Sequence, residues 1–155
     1  MTGVDPLSCA KLRKVHMAYT LIYIGIAFFL AYAAKIPVGI AQIFQKGGYD
    51  NNNPRTQQAG LEGFGARALA AHQNSFEVFP AFAVAAYAAA SSGYNIDHVN
   101  YVAAAFVASR VLYIVCYLFD LAWVRSAIWF VGFIAIYIEF YFAVTAHFES
   151  VSSAW

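Results

Sequence analysis

The chain has 155 residues, enough for one domain, and 62% of them are apolar while only 11% are charged. That balance excludes an ordinary soluble domain, where about a quarter of residues are charged, and a net charge of +1 provides no reason to expect a nucleic-acid partner. The two cysteines, Cys9 in the N-terminal segment and Cys116 deep in an apolar run, argue against a disulfide framework.

Uncharged runs at 18–34, 78–96, 99–109 with 111–119, and 126–138 with 140–146 each approach or reach the roughly 20 residues that cross about 30 Å of hydrocarbon. They predict four transmembrane helices, over about 12–35, 58–90, 97–120 and 124–147. Fully buried helices of a soluble protein also lack a polar face, but a chain this short has too little protein left to cover four of them. The apolar start is no signal peptide, because the same hydrophobicity recurs three more times and no cleavage region follows it.

Pro37 is expected to end the first helix. The second helix is longer than a span requires, so its first turns stand outside the hydrocarbon, and Ser91, Ser92 and Gly93 stop it. Asp97 is placed to cap the third. Gly25 and Gly132 offer room for close helix contacts.

The connection at about 36–57 is long and polar, with Gly47, Gly48, Asp50, three successive asparagines, Pro54 and Arg55. It reads either as a binding loop or as a passive turn segment held by its own side chains. The other two connections are brief, which predicts an all-α, antiparallel up-and-down bundle. An even number of spans puts both termini on one side, with Lys11, Arg13 and Lys14. Lys35, Lys46, Arg55 and Arg125 lie on the other, with Arg67 near its boundary, so the positive-inside rule puts the 36–57 loop in the cytoplasm.

Two polar stripes interrupt the apolar helices. Arg67, Asn74 and Glu77 share a face of the second helix, and Arg110, Tyr113 and Tyr117 share one of the third. Glu77 is the most informative of them, expected as a buried charge at a site or in a tight helix contact. Arginine offers a planar fork for carboxylates, glutamate accepts from an amine, and asparagine does both, so a zwitterionic or anionic ligand suits the set. The competing reading is an internal network that fixes helix register. Arg125 and Ser126 stand at the start of the fourth helix, where an anion is favoured; an arginine there also serves as a surface anchor. His16, His98 and His147 lie toward one membrane side without a coordinating motif, so no metal site is predicted, and His72 falls off the stripe as a packed or interfacial histidine.

RALAAHQNSFEVFPAF (67–82) and SRVLYIVCYLFDLAWVRSAIW (109–129), with YDNNNPR (49–55) resembling the linker of a bacterial-type branch, are similar to the membrane-associated proteins in eicosanoid and glutathione metabolism, the MAPEG superfamily. The resemblance implies a four-helix bundle, a homotrimer with sites between subunits toward the cytoplasmic side, and glutathione as cosubstrate. It implies that Asn74, Glu77 and Tyr117 bind the ligand, that Arg125 activates the thiol with Ser126 beside it, and that Arg67 and Arg110 organise the pocket. Ala70, Gln73 and Tyr113 depart from the pattern, standing respectively where eicosanoid enzymes carry arginine and where the prostaglandin-synthesising type has a basic residue and a histidine. Lys35 is a candidate substitute for a helix-1 arginine. The implied activity is a transferase or peroxidase acting on a lipid-like electrophile from the bilayer; the alternative is a nonenzymatic lipid-binding or scaffold protein.

Overall fold

The computed structural model describes the backbone of residues 6–152 and the side chains of Val15 and of residues 17–152. Cys9, Lys11, Arg13, Lys14 and His16, named above, have side chains outside the described ones. Among the described residues the elements are α1 (Pro6–Ala33), α2 (Lys35–Ile43), α3 (Pro54–Ala59), α4 (Gly63–Ser92), α5 (Ile96–Leu118) and α6 (Ala122–Ser152).

The long helices α1, α4, α5 and α6 form an antiparallel bundle. Among the described residues, three stretches are long and apolar enough to cross a membrane: Met17–Ile43, Ile96–Leu118 and Ala122–Ser152. At 30 residues, or about 45 Å, α4 is as long, but its first half carries Arg67, His72, Gln73, Asn74 and Glu77. Aromatic and branched side chains lie exposed along the bundle's outside, including Phe29, Tyr101, Phe130, Tyr137 and Tyr141. In water such a surface is untenable; against acyl chains it is the ordinary exterior of an integral membrane protein.

α4 and α5 occupy the middle. Both pack on α1 and on α6, while the backbones of α1 and α6 stay apart among the described residues. Small side chains allow α4 this position: Gly65, Ala68, Ala71, Ser75, Ala85, Ala86, Ala89 and Ala90 are all buried, and small residues let helix backbones approach. The Phe82 and Phe106 rings stack at 3.8 Å between α4 and α5, in a core with Ala27, Ala103, Ala135 and Ile136.

The stretch expected as a loop at 36–57 is largely helical at both ends. Pro37 does not end helicity; it lies in the first turn of α2, where its missing N–H has no partner to lose. A second apolar cluster, Val38, Leu61 and Ala68, seats α2 on the start of α4. α5 is capped by Asn95 rather than Asp97: the Asn95 side chain accepts from the Asp97 and His98 N–H groups at 3.1 and 3.3 Å. Gly93 closes α4 with φ +98°, a conformation that favours glycine. The α5–α6 corner turns at Asp120, a non-glycine residue at φ +60°, which aspartate tolerates better than most.

Candidate functional site

Building outward from α4, Arg67 does not join Glu77. Its guanidinium pairs with Asp120 across the end of the bundle at 3.4 Å, tying the α5–α6 corner to α4. Glu77 is exposed on the single chain, a correction to the expectation of a buried charge, and its carboxylate accepts from the Asn74 amide at 3.1 Å. The Asn74 carbonyl in turn accepts from Arg110 of α5 at 3.3 Å. Arg110 is buried, with its guanidinium 4.4 Å from the Tyr113 ring and 5.6 Å from that of Phe106.

Space for that guanidinium comes from Gly132 on α6, where an added Cβ would lie 2.8 Å from Ser109 Oγ and 3.0 Å from an Arg110 Nη. Gly132 thus permits a close helix contact, whereas Gly25 faces open space in the single chain. Tyr113 meets Tyr117 edge-on at 5.1 Å, and the Arg125 guanidinium lies 4.4 Å from the Tyr117 ring. Glu77, Asn74, Arg110, Tyr113, Tyr117 and Arg125 therefore form one line of contacts across three helices.

The line ends in two different concavities. Between α5 and α6, a recess of about 260 Å³ is lined by Tyr113, Tyr117, Arg125, Ser126, Trp129 and Phe130. Arg125 makes no ion pair among the described residues, so its charge is offset there only by an aromatic face. The Ser126 hydroxyl donates to the Ala122 carbonyl at 3.0 Å, so it must rotate before it can donate to a ligand. Along α1 and α4, a cleft of about 750 Å³ is lined by residues including Tyr32, Lys35, Arg55, His72, Phe76 and Glu77. His72 Nδ1 lies 3.0 Å from the Ala31 carbonyl, and because a carbonyl only accepts, Nδ1 carries the proton of that bond.

The polar segment between α2 and α3 is held by its own side chains. Asp50 accepts from the Asn53 and Asn52 backbone N–H groups at 3.0 and 2.8 Å, which hold its carboxyl below the usual carboxylate range. An open hollow on this segment, lined by residues 45–50, 56, 57 and 60, contains none of the predicted site residues.

The buried carboxylate of the bundle is Glu139 of α6, fully buried with neither oxygen hydrogen-bonded. Its signal in the sequence is the lone charge dividing the apolar run between 138 and 140. No group of three or more metal-ligating side chains occurs among the described residues.

The model of the MAPEG family matches residues 19–145, most of the chain and all the residues of this line. No curated protein and no solved structure matches it.

Proposed function

The chain belongs to the MAPEG family, a membrane family with glutathione-related activities, and from that premise we propose that it is a glutathione-dependent transferase or peroxidase acting on a lipid-like electrophile. The observation that carries the reading is Arg125: a guanidinium without a carboxylate partner among the described residues, over the Tyr117 ring, in a recess whose walls include Trp129 and Phe130. A fixed cation in water-poor surroundings stabilises an anion far better than one in bulk solvent, and an apolar wall suits an electrophile arriving from the acyl chains.

The residues suit glutathione. Glu77 and Asn74 offer an acceptor and an amide to its amine and peptide groups, Tyr117 a hydroxyl, and Arg125 a charge for the sulfur. Bound glutathione supplies a nucleophilic thiolate, for conjugation to a carbon electrophile or reduction of a hydroperoxide. Arg125 holds the negative charge on sulfur, and Ser126, once rotated away from Ala122, donates a hydrogen bond beside it.

The two concavities lie on different helix pairs, which suits a heterologous contact between one copy's α1–α4 cleft and a neighbour's α5–α6 recess, the kind of contact that builds a ring when its rotation closes. We take the ring to be the homotrimer that the family resemblance implies, with the α2–α3 end toward the cytoplasm.

The test compares parent and Arg125→Ala in nanodiscs for thiolate absorbance, turnover and oligomer mass. Loss of thiolate and turnover with the oligomer retained supports the assignment; equal loss of assembly and activity removes the chemical role. A parent without glutathione binding, from which lipid copurifies specifically, would instead favour a lipid-binding scaffold, a reading for which the exposed aromatic exterior provides the motive.

A further inference from the structure

The α1–α4 cleft contains two cations, and among the described residues no anion is paired to either. The Lys35 amine is buried without a hydrogen-bond partner, and Arg55 lines the same cleft. The one carboxylate of the cleft, Glu77, is bonded to Asn74 and lies beyond ion-pair distance from both. Unopposed like charges in one cleft destabilise each other, and an anionic ligand relieves both.

Arg55 reaches the cleft from α3, and α3 is fastened to α2 by three glutamines. Fully buried Gln42 donates to the Pro54 carbonyl at 3.2 Å and to Gln57 Oε1 at 3.0 Å. Gln57 donates back to the carbonyls of Gln42 at 3.2 Å and Gly48 at 2.7 Å. Gln58 donates to Gln42 Oε1 at 3.5 Å and accepts from Arg55 Nη1 at 3.2 Å. The brace occupies one arm of the guanidinium and leaves its other N–H donors free. The brace fixes α3 against α2 and, through Gln58, holds the exposed Arg55 side chain at the cleft.

We propose that Arg55 and Lys35 form a carboxylate clamp, so that the polar segment between α2 and α4 is part of the ligand site and Arg55 decides which ligands it accepts. The proposal rests on the glutathione reading above and extends it: the helices supply the reacting end of the site, and α3 selects for ligands that carry free carboxylates.

Calorimetry on the nanodisc-embedded protein tests this with glutathione and its diethyl ester, in the parent, Arg55→Ala and Arg55→Lys, with helicity and oligomer mass checked in each. The parent is expected to bind the free acid at least roughly tenfold more tightly than the ester, the scale of a charged hydrogen bond. Arg55→Ala is expected to lose that preference, and Arg55→Lys to regain part of it because charge returns without the fork. If the parent binds glutathione and Arg55→Ala keeps the same preference, the clamp is wrong and the glutathione reading stands. If the parent binds no glutathione, that reading falls, and glutarate decides the clamp: binding that Arg55→Ala abolishes sustains it, and no glutarate binding overturns it.

Discussion

The α5–α6 recess and the α1–α4 cleft are joined by one line of contacts yet built from opposite materials. The recess is small and aromatic, with a single unpaired guanidinium. The cleft is nearly three times larger, at about 750 against 260 Å³, and carries two cations, a carboxylate and an imidazole. A charge without competing partners in a tight apolar wall is suited to steady one reacting atom; several polar groups in a wide cleft are suited to reading a polar molecule. The division predicts that damage to the recess appears in kcat and damage to the cleft in binding.

The largest expected effect is that of Arg125→Ala, a fall in kcat of roughly a hundredfold or more with glutathione affinity changed far less. Stopped-flow and steady-state kinetics check it, and an effect confined to KM would merge the two regions into one. Next, Glu77→Gln is expected to weaken glutathione binding roughly tenfold, the loss of a charged hydrogen-bond acceptor, while saturated turnover falls much less. Gly132→Ala strikes the bridge between the regions. Its Cβ displaces the Arg110 guanidinium and Ser109 hydroxyl, costing about 1 kcal/mol of stability as a mild overpacking and loosening Asn74 and Glu77, so thermal midpoint and glutathione affinity fall together. A lower thermal midpoint with affinity unchanged would show that the line of contacts does not couple the two sites.

The smallest effect is expected at Asp50. Its folded carboxyl is held below the ordinary value by the Asn53 and Asn52 N–H groups. The ordering is therefore present above the ordinary aspartate range and lost as pH falls through the folded value. Protection of the Asn52 and Asn53 amides against hydrogen exchange, relative to their intrinsic rates, should weaken as pH falls below the ordinary aspartate range in the parent, and in Asp50→Asn should lack that titration.

The bundle was legible because four apolar runs and two brief connections leave a short membrane chain few alternatives. Spacing also put Asn74 and Glu77 on one face, and Arg110, Tyr113 and Tyr117 on another, and the structure brings those residues together. What spacing does not contain is the rotation of each helix against its neighbours. Hence Arg67 meets Asp120, a residue on no shared helix face, and Glu77 lies outward while Glu139 lies inward. The helicity of α2 was obscured because proline reads as a stop unless it falls in a first turn, and the packing of Val38 against Leu61 and Ala68 joins residues far apart in the sequence. The glutamine brace was invisible for a similar reason: Gln42, Gln57 and Gln58 are unremarkable polar residues until a fold puts them face to face.

The separation of α1 from α6 by the α4–α5 pair has a genetic consequence in the proposed ring. Each reaction centre would draw its recognition half from one copy and its chemical half from the next. A subunit crippled at Glu77 and another crippled at Arg125 would then rescue one another when coexpressed, because some junctions in a mixed ring join two undamaged halves.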